Sequence, residues 1–78
     1  MTTIKILCYS WLFGDYETEL EIPKNYMEKY LIARETGNEE LESFWGEEIE
    51  CYIWDKLDRF YEQNISQVFY NNTLLWEY

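Results

Sequence analysis

The sequence contains no histidine. That absence removes the side chain most often used as a general base or metal ligand near neutral pH. Its three glycines, Gly14, Gly37 and Gly46, stand too far apart to form a phosphate-cradling loop. One proline, Pro23, and no stretch rich in Gly or Ser leave no place for a linker, so residues 1–78 are expected to form a single domain. Two cysteines, Cys8 and Cys51, are too few for a disulfide framework and stand in no CxxC pair. No stretch approaches the ~18 consecutive apolar residues of a membrane span. The opening Met1-Thr2-Thr3-Ile4-Lys5 lacks the apolar run of a signal peptide, so a cytoplasmic chain with reduced thiols is expected.

Positive charge is the scarcest property. Six Lys and Arg stand against sixteen Asp and Glu, for a formal net charge of -10. Small domains usually carry a magnitude of about 2–8. With no Lys/Arg cluster to meet phosphates, direct binding of nucleic acid or of an anionic membrane is excluded, while basic proteins are attracted. Such acidity can mark a disordered tail, but 47% of the residues are hydrophobic and 21% aromatic. Aromatic side chains bury about 150–250 Å² each, enough to stabilise a fold of this size. The chain is expected to fold.

Catalytic equipment is missing as well. Ser10, Ser43 and Ser66 have no base partner in the pattern, and Cys8 has no activator. A glycosidase-like pair can be drawn from any two of the sixteen acids, so no pair is singled out. No segment alternates Asp and Asn around a glycine as a calcium loop does. The reading is therefore of a non-enzyme with no catalytic residue, no cofactor and no metal ligand.

Periodicity supplies the elements. Residues 3–11 read as a strand with two largely apolar faces, which suits a central position. Gly14-Asp15 is expected to turn the chain into a second strand over 16–22. There Tyr16, Thr18, Leu20 and Ile22 take one face, and Glu17, Glu19 and Glu21 the other. Pro23 closes that strand. A helix is expected from Lys24 or Asn25 to about Thr36, stopped at Gly37, with Asn38 capping the next. Leu41, Trp45, Ile49, Tyr52, Ile53, Leu57 and Phe60 fall on one side of a second helix reaching about Gln63, with a break or kink plausible at Gly46. Ser66–Tyr70 and Thr73–Tyr78 read as a closing hairpin around Asn71-Asn72, residues that tolerate positive φ. The expected fold is α+β in the order β-β-α-α-β-β: an antiparallel four-stranded sheet of two hairpins with two helices packed on one face.

The arrangement of the acids points to function. Between Arg34 and Lys56 there is no basic residue, and six of the twelve residues 39–50 are Glu: Glu39, Glu40, Glu42, Glu47, Glu48 and Glu50. Asp55, Asp58 and Glu62 extend the series along the side of the helix opposite its apolar stripe. Helical neighbours three or four apart lie about 5–6 Å from one another. Strand positions two apart, as in Glu17, Glu19 and Glu21, lie about 6.7 Å apart. Any one of these Glu reads as an ordinary solvated side chain. Taken together, rows of carboxylates at phosphate-like spacing can enter a cationic groove built for nucleic acid, where Lys and Arg form charge-assisted bonds to them. Trp11, Trp45, Tyr52, Phe60 and Trp76 are expected in the core. Trp54 and Tyr61 fall beside the acidic side and are candidate anchors for a partner.

In Glu17, Glu19 and Glu21 and in the acidic run from Glu39 to Glu62, the chain resembles the small acidic inhibitors that phages and mobile elements direct against host defence. These are the DNA mimics of the anti-restriction and anti-CRISPR class. The likeness is one of size and composition, and those inhibitors share no common fold. It implies inhibition by occupying a nucleic-acid site of a basic host enzyme, in the bacterial cytoplasm, by a monomer or homodimer. Two other readings stand beside it: an immunity or antitoxin protein plugging a basic nuclease through the same electrostatics, and, from a different class, an adaptor module that self-associates through its terminal strand.

Overall fold

A computed structural model of the chain describes residues 1–11, 14–57 and 65–78. The elements follow the order β1 (Thr2–Ser10), β2 (Gly14–Ile22), α1 (Lys24–Glu35), α2 (Glu39–Lys56), β3 (Ile65–Tyr70) and β4 (Thr73–Glu77). The fold is α+β, with one antiparallel sheet in the strand order β2-β1-β3-β4. The described residues divide into two compact units. One holds Ile22–Lys56 with Met1–Thr2, and the other holds Thr3–Glu21 and Leu57–Tyr78.

In the sheet unit, β1 is central, as its two apolar faces require. Ile4, Ile6 and Cys8 are fully buried, while Lys5 and Leu7 between them are half-buried. Its partner β3 runs antiparallel, with Ile6 opposite Val68 and Lys5 opposite Phe69. Between the pairs Leu7↔Gln67 and Cys8↔Ile65 the register shifts, leaving Ser66 as the extra residue of a bulge. The Ser66 hydroxyl donates to the Leu7 carbonyl at 3.1 Å, and the Ser66 carbonyl accepts from the Tyr78 N–H at 2.8 Å. The bulge therefore leaves these polar groups satisfied, and the second bond ties down the last residue of the chain.

The β3–β4 hairpin turns at Asn71 (φ 50°) and Asn72 (φ 65°), the two positive-φ residues that a two-residue primed turn needs. A second shift, between Val68↔Trp76 and Phe69↔Leu74, frees Leu75 from strict alternation and lets it be buried. Trp76, expected in the core, is half-buried, and its indole N–H donates to the Tyr78 hydroxyl at 3.1 Å.

In the helical unit, α1 starts directly after Pro23, whose fixed φ of -57° suits a helix entrance. It stops in a double bond pattern: the Gly37 N–H reaches the Arg34 carbonyl and the Asn38 N–H the Ala33 carbonyl, with Gly37 at φ 71°. That is a Schellman stop, which a residue with a Cβ would strain. Asn38 then caps α2, its side-chain oxygen accepting from the Leu41 N–H at 3.2 Å. Met27, Tyr30 and Ala33 of α1 and Ile49 and Ile53 of α2 are buried. Burial of Met27, Ile49 or Ile53 stabilises by about 1.5–3 kcal/mol each relative to exposure. Around them Tyr26 meets Trp45 (centroids 5.6 Å) and Tyr52 (6.2 Å) in tilted and edge-on contacts.

Several expectations need correction. Gly14 and Asp15 are not a turn but the first residues of β2; Gly14 takes φ 77°, a left-handed entry open to glycine, and the strand geometry begins there. Trp11, expected in the core, is 82% exposed: it lies one residue past the end of β1, in phase with Lys5, Leu7 and exposed Tyr9 rather than with buried Ile4, Ile6 and Cys8. α2 closes at Lys56, with its ammonium at the negative end of the helix dipole, and the expected stretch on to about Gln63 lies, past Leu57, outside the described residues. Phe60 lies outside the described residues. Leu41 is 47% exposed, so the first turn of the apolar stripe is uncovered. α2 runs through Gly46 as one helix, without the break considered there, and a Cβ at that position would sit 3.5 Å from the Tyr30 ring, an ordinary packing distance.

Candidate protein-binding surface

Two elements present the carboxylates. In β2 the two-residue period carries through: Glu17, Glu19 and Glu21 are exposed, Tyr16, Thr18 and Leu20 are half-buried, and Ile22 is fully buried. Because the strand starts at Gly14, Asp15 joins the exposed row at the same spacing. Reading Gly14-Asp15 as a turn hid that fourth acid; the unbroken alternation back from Glu17 was the signal for it. Glu17 lies 3.8 Å from the Lys5 ammonium of β1, which identifies the row with the face of the sheet that carries Lys5.

In α2 the acids are less uniform. Glu39, Glu40, Glu47 and Asp55 are exposed, whereas Glu42, Glu48 and Glu50 are half-buried. Helical spacing places Glu40 and Glu47 away from buried Ile49 and Ile53, beside exposed Phe44, Cys51 and Trp54. Glu42 instead lies near Tyr30. Burial pushes the Tyr30 phenol above its ordinary range, with Arg34 pulling it down and Glu42 adding to the rise. Glu39, Glu40 and Glu42 occupy the first turn, where the positive end of the helix dipole favours a carboxylate by about 0.3–1 kcal/mol. These three have a folding reason to be acidic. Asp58, Tyr61 and Glu62 lie outside the described residues.

Pairing is sparse. Among the described residues only Glu17, Glu28 and Asp55 reach an ammonium, from Lys5, Lys24 and Lys56 at 3.8, 3.9 and 3.5 Å. All three pairs are exposed, the kind worth about 0–1 kcal/mol. The remaining described bases are engaged elsewhere: Lys29 lies over the Trp45 ring at 5.5 Å, and Arg34 bonds to Tyr30. Among the described residues, Glu19, Glu21, Glu39, Glu40 and Glu47 are exposed and meet no cation.

On the face of the sheet that carries Lys5 and Glu17 lies an open groove of about 670 Å³, bordered by Leu7, Glu19, Phe69 and the Asn71-Asn72 turn among others. Lys5 and Phe69 face one another across β1 and β3, a juxtaposition that strand pairing creates and local pattern does not reveal. Among the described residues no group of three or more Cys, Asp or Glu is placed to hold a metal ion. Cys8 is buried, which pushes its thiol up, while Cys51 is exposed. No described helix is long and apolar enough to cross a membrane. Comparison with known proteins finds no matching family, no matching curated protein and no matching solved structure.

Proposed function

We propose that this chain is a non-catalytic inhibitor that binds a basic protein, occupying the nucleic-acid site of a host defence enzyme such as a restriction enzyme or a CRISPR effector. One observation carries the reading: among the described residues, exposed Glu19, Glu21, Glu39, Glu40 and Glu47 of β2 and α2 meet no cation in a chain of net charge -10, while every described Lys and Arg is engaged. Like charges at such spacing cost a few tenths of a kcal/mol per pair, so outside the first turn of α2 they burden a small domain. A basic groove repays that cost. It supplies Lys and Arg in the places where phosphates would sit, and the opposite fields speed encounter.

The test is competition. The purified chain is titrated into a restriction enzyme or CRISPR effector holding a fluorescent oligonucleotide, at low and moderate salt. Displacement that weakens with salt is expected, together with its loss in a variant with Glu17, Glu19, Glu21, Glu39, Glu40 and Glu47 changed to Lys. Displacement that survives the six reversals would refute carboxylate mimicry.

A further inference from the structure

We propose that the outer edge of β2 docks an extended segment of the basic partner, with Lys or Arg at every second position, as a fifth strand of the sheet. This rests on the proposed binding of a basic protein and specifies one route by which it occurs.

The edge itself is the starting observation. β2 is terminal in the strand order, so among the described residues no strand pairs with its outer side. At nine residues it spans about 30 Å. Edges of that length invite pairing, and proteins usually blunt them with Lys, Pro, a bulge or a short strand. Its sequence from Gly14 to Ile22 holds no Lys, Arg or Pro. The opposite edge, β4, is five residues long and its ladder is broken by a register shift. The long edge is guarded only by its row of carboxylates.

Charge then selects the occupant. A second copy pairing antiparallel about Glu19 brings Glu17 opposite Glu21 and Glu19 opposite Glu19, at about 4.5–5.5 Å on one face. Like charges directly opposite destabilise a strand pair, so the acid row disfavours self-association while leaving the edge open. An incoming strand with alternating Lys or Arg reverses the sign of every such pair. Its backbone bonds give affinity and its alternate side chains give specificity, the general logic of strand addition. A long cationic side chain reaching past Glu19 also meets the groove bordered by Leu7 and Phe69 on the same face.

The experiment uses the whole chain, isotopically labelled, and a blocked heptapeptide alternating lysine with valine. Its control is the same peptide methylated at every backbone amide, which keeps the charge and removes the donors. Expected are amide shift changes and slowed hydrogen exchange concentrated in residues 14–22, and binding at least tenfold weaker for the methylated peptide. A second variant, E17T/E19T/E21T, keeps strand-forming side chains. It is expected to lose the peptide at least tenfold and to gain a dimer by light scattering. Equal binding of both peptides, or shifts centred on α2, would overturn strand addition. No peptide binding alongside intact oligonucleotide displacement would also sink the edge proposal, leaving the inhibitor reading standing. A wild-type dimer joined through residues 14–22 would overturn the choice of occupant.

Discussion

In β2 a carboxylate stands at every second position from Asp15 to Glu21, and all four are exposed. In α2 seven carboxylates are spread around the helix axis, and Glu42, Glu48 and Glu50 are half-buried. The difference lies in the backbone repeat. A period of two collects alternate residues on one face, whereas adjacent pairs such as Glu39-Glu40 and Glu47-Glu48 diverge by about 100° on a helix of 3.6 residues per turn. The strand therefore presents one directed row. The helix presents a diffuse field, part of which serves its own dipole. Equal charge density in a sequence does not mean an equal binding surface.

The comparison can be broken first at the buried side of each element. Ile22→Ala in β2 and Ile53→Ala in α2 each remove a side chain with 0–1% exposure. Each is expected to cost about 2–5 kcal/mol in urea unfolding. If either costs under about 1 kcal/mol, that element's apolar side does not hold the fold and its acidic side loses its scaffold.

Glycine to alanine is expected to change sign between the two. Gly14→Ala forces a Cβ into φ 77° at the start of β2 and should cost about 1–2 kcal/mol. Gly46→Ala lies within α2 at ordinary packing distance from Tyr30 and should stabilise by about 1 kcal/mol. Thermal melts of the two variants measure both, and a Gly46→Ala loss would mean that Tyr30 cannot accommodate the methyl.

The smallest effects test the acids themselves. Glu40→Gln, in the first turn of α2, should lose about 0.3–1 kcal/mol of dipole stabilisation. Glu19→Gln, in the strand row, should gain a few tenths by relieving its like-charged neighbours. Both differences should shrink on raising the salt from 50 mM to 1 M, as screening contracts to about 3 Å. The same sign for both would erase the distinction between row and field.

Much of this was legible because it is local. The alternation from Tyr16 to Ile22, the Gly37 stop, the Asn38 cap and the Asn71-Asn72 turn each depend on backbone preferences within a few residues. Failures came where local pattern met an element's limit. Trp11 continues the apolar character of β1 but lies beyond its end, and Leu57 continues the stripe of α2 but lies beyond Lys56. Asp15 was lost to a turn because Gly-Asp favours turns wherever the strand does not already claim it.

Composition determined by itself that the chain folds, that it is strongly acidic, and that Glu17, Glu19 and Glu21 share a face, because spacing along one strand needs no other part of the molecule. Tertiary structure alone decided that β1 pairs with β3, giving the order β2-β1-β3-β4. That pairing set Lys5 beside Phe69, opened the groove and left β2 at an edge. Residues more than sixty apart in the chain meet there, and hydrogen bonding between strands, unlike the period within one, carries no signature in the sequence of either.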